Sequence, residues 1–202
     1  MFGNTHICTI KNMTFSRVNI TGTNNETGIN GALYFGSVTN VTVTDGVITG
    51  NDDVGGICGW QTSGTFSHCT NHAQVTGDLS VGGICGRLAD GCTISHCTNR
   101  AQATGNRYVG GILGDIHGQS GDTIEYCTNY GAVKCTGADN GSIGGIGGSS
   151  QSGGSISHCA NYGNVEGDRE VGGILGCFYG TAFSLANVMS TGNVTETGNH
   201  NT

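Results

Sequence analysis

The segment "VGGICG" at residues 54–59, with its near-copies, constrains this chain more than any other feature. "VGGICG" returns at 81–86, "VGGILG" at 109–114 and 171–176, and "IGGIGG" at 143–148. Gly55, Gly82, Gly110, Gly144 and Gly172 open successive boxes at spacings of 27, 28, 34 and 28 residues. Self-similarity at a near-fixed period marks a repeat architecture, in which each unit buries its apolar side only by stacking on the next. A second shared segment lies downstream of each box: "GTFSHCTNHAQVTG", "CTISHCTNRAQATG", "DTIEYCTNYGAVKCTG", "GSISHCANYGNVEG" and "FSLANVMSTGNVTETG". Residues 31–50 form a degenerate earlier copy, and 5–28 match the rear part of one more. Residues 1–202 therefore make a single repeat domain. Degenerate coils occupy 5–53, and clear repeats run 54–80, 81–108, 109–142, 143–170 and 171–202.

Stacking the copies gives columns. Val54, Val81, Val109, Ile143 and Val171 share one, and Ile57, Ile84, Ile112, Ile146 and Ile174 a second. Phe66, Ile94, Ile124, Ile156 and Leu185 form a third, and Cys69, Cys97, Cys127 and Cys159, closed by Val188, a fourth. Val75, Ala103, Val133, Val165 and Val194 form a fifth. The stretches between turn residues are short and lack a 3.6-residue period, so they read as strands. With 39 glycines, no proline and many Thr, Ser and Asn, the chain is also poor in helix formers. The predicted fold class is all-β: a parallel β-helix or β-solenoid of about 27–34 residues per coil. About three short strands per coil are expected, and right-handed winding is the default for parallel strands. The extra residues "CTGADNGS" after Val109 read as a loop bulging from one corner.

Val54 and Ile57 lie three residues apart, so a straight strand would send them to opposite faces. Both columns are apolar. A bend at the glycine pair would turn both inward, because glycine reaches φ > 0 and lets backbones approach closely. The box is thus expected to be a coil corner. The mostly apolar column Cys58, Cys85, Leu113, Gly147, Leu175 keeps a straight-strand alternative open.

The pattern V-G-G-[IL]-x-G followed by [TS]-[IF]-[SE]-x-C-x-N-x-[GA]-x-[VA] resembles the GLUG motif. That repeat occurs in large bacterial surface proteins, including adhesin-like proteins and the non-catalytic regions of some IgA-specific metallopeptidases. The likeness is good in the copies starting at Val54, Val81, Val109 and Ile143, weaker at Val171, and weakest before residue 50. It implies an extracellular, cell-surface repeat module. It brings no catalytic residues.

The reactive side chains give no constellation of their own. The ten cysteines are an even number, which invites a disulfide framework. In-register strands hold equivalent Cβ atoms about 4.8 Å apart and parallel, a poor fit to disulfide geometry. Cys69, Cys97, Cys127 and Cys159 are therefore expected as free core thiols, and Cys58 with Cys85 likewise. Cys8, Cys92, Cys135 and Cys177 have no column partner, and a Cys92–Cys97 bridge stays open. His68, His96 and His158 share a column interrupted by Tyr126, each beside a cysteine, but adjacent strand residues diverge and no zinc-ligand spacing occurs. Asp52, Asp53, Asp78, Asp168 and Glu170 gather just before the boxes, with Asp139 in the long loop. Calcium-roll spacing is absent, Asn106 interrupts the row, and Arg107 and Arg169 share its loops, so it reads as a solvated corner. Asn71, Asn99, Asn129 and Asn161, ended by Ser190, are expected to form a buried amide ladder. Several N-x-T sequons carry little weight in so Thr/Asn-rich a chain.

No residue is assigned a catalytic, cofactor-binding or metal-binding role, and no cofactor is implied. A formal net charge of -7 with only seven Lys and Arg argues against nucleic acid. No apolar run is long enough for membrane insertion. "MFGNTHICTIKNMTF" lacks the basic start and apolar core of a signal peptide. Neither end offers a clear cap, so continuation of the native protein beyond one or both ends is expected.

The expected function is a non-catalytic extracellular module of a bacterial surface protein, adhesive or spacer. Host glycans or glycoproteins would be its partners, besides other domains of a longer chain. Two alternatives stand beside it. One is a glycan-active β-helix using an acidic corner residue, Asp78 or Asp168. The other is an ice-binding solenoid whose threonine row begins at Thr65 and Thr93 and is broken nearby by Glu125 and the histidines.

Overall fold

The structure, a computed structural model, describes residues 1–23, 25–118, 121–137, 141–180 and 182–198. Asp139 and the tip of the "CTGADNGS" loop lie outside the described residues.

Every strand pairing is parallel and joins one coil to the next. The clear repeat starting at the first box shows the plan. Its strands are Asp53–Gly55, Cys58–Thr62, Thr65–Ser67, Thr70–Asn71 and Gln74–Thr76. Equivalent strands stack into four sheets. Sheet 1 holds the Cys58–Thr62 column, sheet 2 both the Thr65–Ser67 and Thr70–Asn71 columns, sheet 3 the Gln74–Thr76 column and sheet 4 the Asp53–Gly55 column. The coil thus carries five short strands rather than the expected three. The box spans two sheets instead of one, and a left-handed residue splits sheet 2.

The registers follow the sequence columns. Val54 pairs with Val81, Val81 with Val109, and Val109 with Ile143. Phe66 pairs with Ile94, Ile94 with Ile124, and Ile124 with Ile156. These residues are fully buried, as are Val75, Ala103, Val133 and Val165 within a per cent. Like side chains therefore fill a continuous core along the solenoid axis. In the coil from Val171 the same columns lack a covering layer: Leu185 is 50% and Val194 46% exposed. The first strand, Phe2–His6, already pairs with Asn30–Tyr34, so the first coil is more complete than its sequence suggests.

The box is a corner. Residues 56 and 57 turn the chain from Asp53–Gly55 into Cys58–Thr62, and Val54, Ile57 and Cys58 are all buried. The straight-strand alternative fails because the two flanking strands belong to different sheets. The role expected of glycine is half right. No box glycine adopts the left-handed region; among the described residues, the glycines with positive φ are Gly46, Gly91, Gly118 and Gly121. What the box needs is the absence of a side chain. A Cβ on Gly55 would lie 2.0 Å from the Cys58 carbonyl oxygen. A Cβ on Gly56 would lie 2.3 Å from the Gly83 carbonyl oxygen and 2.5 Å from the Asn71 side-chain amide. The box's third glycine lets sheet 1 lie on sheet 4: a Cβ on Gly86 would be 2.5 Å from the Val54 nitrogen, and one on Gly114 equally close to that of Val81.

The extra length of the coil starting at Val109 divides between two corners, not one. Gly82 pairs with Gly110, yet Ile94 pairs with Ile124, so two added residues already precede Ile124. The remainder precedes Ile143, since Val109 pairs with Ile143.

Candidate functional site

The asparagine column is an interior ladder. Asn71 Nδ2 donates to Asn99 Oδ1 at 3.1 Å, Asn99 to Asn129 at 2.9 Å, and Asn129 to Asn161 at 2.8 Å. Asn161 ends on the Ser190 hydroxyl at 3.2 Å. Each amide also grips its own corner. Asn129 Nδ2 donates to the Gly131 carbonyl at 2.8 Å, and the Gly131 N–H returns to Asn129 Oδ1 at 3.2 Å. These buried polar groups are satisfied, so the ladder fixes register at little desolvation cost.

The histidine column lies outside. Its residues occupy the corner that splits sheet 2, with φ of +55° at His68, +54° at His96, +52° at Tyr126 and +51° at His158. A left-handed corner, rather than strand alternation, sends each ring outward while the next residue, a cysteine, points in. Asn12, Asn40 and Asn187 hold the same column in the outer coils, all with positive φ. Asparagine is the ordinary occupant of such a position, and those asparagines were the sequence signal for it. The rings stack face to face: His68–His96 at 4.9 Å, His96–Tyr126 at 5.0 Å and Tyr126–His158 at 4.7 Å. A second exposed ladder, missed in the sequence, follows the asparagines: the Arg100 guanidinium lies 4.7 Å over Tyr130, and Tyr130 stacks on Tyr162 at 5.0 Å. Because neighbours occupy the ring faces, both ladders present mainly edges, hydroxyls and ring nitrogens to solvent. Between them, Thr70, Thr98 and Thr128 pair in register. The Thr65–Thr93 row extends to Ser37, Thr123 and Ser155, with Glu125 beside it.

All ten cysteines are free, and Cys92 and Cys97 are unbridged. Their thiols satisfy themselves on main-chain carbonyls, as Cys69 does on Ser67 at 3.4 Å and Cys92 on Ala89 at 3.2 Å. Hydrogen bonding to the Cys97 thiol, then burial, pushes the Cys69 thiol far up; burial raises Cys85 strongly and Cys92 to about 11. Cys159 departs downward because it accepts from Cys127, but it too is buried. Thiols so placed are poor nucleophiles. In the native protein at pH 8, iodoacetamide is expected to modify rapidly at most Cys8 and Cys177, the half-exposed pair, and all ten only after denaturation. Rapid labelling of most cysteines, read by mass spectrometry, would refute the buried column.

The acidic corner is not uniformly solvated. Asp78 is exposed and accepts a hydrogen bond from Asn106 Nδ2, and Asp52 accepts one from Asn51 at 3.0 Å. Asp168 is half-buried in another coil, so Asp78 and Asp168 do not form a carboxylate pair. Glu170 accepts from the Tyr179 hydroxyl and from Ser142. Asp53, in contrast, is buried, with Arg87 Nε 3.2 Å from its Oδ1. Arg87 pairs in register with the fully buried Asp115, and its Nη2 donates to Ser80. Sequence reasoning put Asp53 in solvent because it did not see Arg87 arriving from the next coil. Among the described residues, no group of three or more His, Cys, Asp or Glu side chains is placed to hold a metal. No helix among them is long and apolar enough to cross a membrane.

With this geometry in view, the chain can be set beside known proteins. No family model matches it, so the GLUG likeness rests on the residues quoted above. No curated protein sequence matches either. One solved structure is similar: that of a candidate immunoglobulin A1 protease from Bacteroides ovatus. The match has a TM-score of 0.62 at 21% identity, and covers 91% of this chain and 67% of that one. The likeness is one of fold, a long parallel β-solenoid.

Proposed function

We propose that this chain is a non-catalytic, extracellular repeat module of a bacterial surface protein, adhesive or spacer in role and related to the GLUG repeats. The observation that carries this reading is the uninterrupted solenoid itself, together with its similarity to the Bacteroides ovatus protein. Repeats fill the described chain, and the side chains that recur from copy to copy are the ones packed inside. The outward positions carry hydroxyls, amides and stacked rings, the groups that meet glycans through hydrogen bonds. Eight of the ten free thiols fit an oxidising exterior because burial denies them the exposed thiolate that oxidation requires; Cys8 and Cys177 are the half-exposed exceptions.

The test is an array of glycans and mucins probed with the purified chain, with the supernatants examined for cleavage. Saturable binding without cleavage is expected. Cleavage abolished by Asp78→Asn or Asp168→Asn would overturn the reading in favour of a glycan-active enzyme. Silence in both assays would leave the spacer role alone.

A further inference from the structure

A parallel solenoid has two unlike ends. At the first, the edge strands are Phe2–His6 in sheet 1, Thr9–Phe15 in sheet 2 and Val18–Thr21 in sheet 3. At the last, they are Leu175–Phe178, then Phe183–Ala186 with Met189–Ser190, then Val194–Glu196, in the same three sheets. Each edge presents a row of N–H and C=O groups that another strand can pair. Every pairing in the chain is parallel, so the last coil of one copy can meet the first coil of another with its strands running the same way. Such a joint repeats the contact that successive coils already make within the chain.

The columns continue across that joint. Leu185 closes the column that Ile10 opens, and Val194 the one that Ile20 opens. Leu175 closes the column that Phe2 opens, and Val188 the cysteine column that Met13 opens. Phe2, Met13, Leu185 and Val194 are exposed in the single chain, although the same columns are buried in the middle coils. Stacking the two ends would take these apolar side chains out of water. The left-handed corner matches in polarity as well. Asn40 Nδ2 donates to Asn12 Oδ1 at 2.9 Å, and Asn187 Nδ2 lies 3.0 Å from His158 Nε2. Both amides turn their nitrogen to the preceding coil, which sets Asn12 Nδ2 to donate to Asn187 Oδ1 of the copy before it. The poorest interior match, Ser190 on Phe15, falls where the amide ladder already ends.

Charge selects the pairing of unlike ends. Residues 1–23 hold Lys11 and Arg17 and no carboxylate, whereas residues 171–198 hold Glu196 and no lysine or arginine. Last-to-first contact joins opposite signs, and contact between two like ends joins like signs. A two-fold pairing of like ends would also reverse the strand directions and break the columns. We propose that the last coil of one copy docks on the first coil of the next, so that this chain assembles head to tail. The two faces differ and each joint leaves one of each free, so the contact is heterologous and grows into an open fibre. Further coils of a longer chain would use the same edges; the column match is to this chain's own first coil. The proposal goes beyond the module reading and holds whether the outer surface adheres or only spaces.

The experiment follows the mass of the whole chain by sedimentation velocity across a wide concentration range, with electron microscopy of the same samples. Mass is expected to rise with concentration past the dimer, and unbranched fibres to appear. Leu185→Lys in the last coil, or Met13→Lys in the first, places an unpaired charge in the joint. Each should raise the concentration needed for half-assembly about tenfold or more. Both positions are exposed in the single chain, so the fold should survive; Val194→Lys replaces Leu185→Lys should that variant misfold. Val47→Lys, exposed on the flank of sheet 3, should assemble like the parent. The decisive sample mixes the two end variants. Leu185→Lys keeps an intact first coil and Met13→Lys an intact last coil, so together they should form a one-to-one dimer that neither forms alone. A mixture without that dimer would overturn the head-to-tail order. Monomer at every concentration would overturn the proposal and leave the ends to coils of a longer chain. A dimer that never grows would overturn it in favour of a two-fold contact, and assembly lost only in Val47→Lys in favour of a side-by-side one.

Discussion

Gly111→Ala is expected to destabilise the fold sharply, although it adds one methyl group to a corner. The new Cβ would sit 2.2 Å from the Gly145 carbonyl oxygen and 2.3 Å from Asn129 Cγ. Neither neighbour can yield cheaply. Gly145 is backbone in the next coil, and Asn129 is held by Asn99, Asn161 and the Gly131 corner. Overpacking alone costs roughly 1–3 kcal/mol, and unseating a buried amide from its partners a similar amount. Together, at about 2–6 kcal/mol, they remove a large share of the roughly 5–15 kcal/mol that keeps an ordinary domain folded. Thermal melting should fall by roughly 10 °C or more. Gly3→Ala is the comparison, because a Cβ there meets nothing within 4 Å, and it should melt like the parent. If Gly111→Ala also melts within a degree or two of the parent, the close-approach account of the box is wrong.

The same residues show what the sequence makes legible and what it does not. Columns were readable because a solenoid repeats its side chains at the coil period, so Val54 over Val81 or Asn99 over Asn129 needs only alignment. The corner at Gly56 was readable because Val54 and Ile57 must both point inward. The mechanism of the glycines was not. Close approach depends on what lies opposite, and Asn71, fifteen residues along the chain, is what meets Gly56. The left-handed corner at His68 was hidden by residue type, since histidine and tyrosine there replace the asparagines of the outer coils. The two residues added before Ile124 were hidden because column alignment discards irregular length. The Asp53–Arg87–Asp115 seam escaped for a third reason. Its members occupy two columns, Asp53–Ser80–Tyr108 and Trp60–Arg87–Asp115, neither of which repeats a residue type. Repetition identifies the scaffold, and departures from repetition carry the chemistry.

That seam leads to the second large effect, a loss of stability as pH rises. Burial pushes the Asp53 carboxyl up to about 6, against the opposing pull of Arg87 and Ser80, with Glu26 and Asp52 adding to the rise. Burial likewise pushes Asp115 up to about 7, opposed by Arg87, Ser149 and Gln151 and reinforced by Asp53. His117 also faces Asp115, its Nδ1 3.9 Å from Oδ2. Both folded values lie above the ordinary value of 3.8, so the folded state binds these protons more tightly than the unfolded chain does. Their contribution is therefore fully present below about pH 4 and is lost as pH rises through 6 and then 7. One pKa unit corresponds to about 1.4 kcal/mol, which puts the combined loss at several kcal/mol by pH 8. Glu170 works in the opposite sense at the acid end. Burial raises it, but hydrogen bonds from Ser142 and Tyr179 together hold it below its ordinary range, so its contribution fades as the medium turns acidic. Urea midpoints should accordingly be highest near pH 4, fall steeply through pH 5 and 6, and level off above about pH 7. Asp115→Asn, which cannot ionise, should flatten the alkaline limb by about half while leaving the acid limb unchanged. A midpoint that climbs between pH 5 and 8 would mean that the ion pair with Arg87 outweighs burial, and that both carboxylates enter the folded seam already charged.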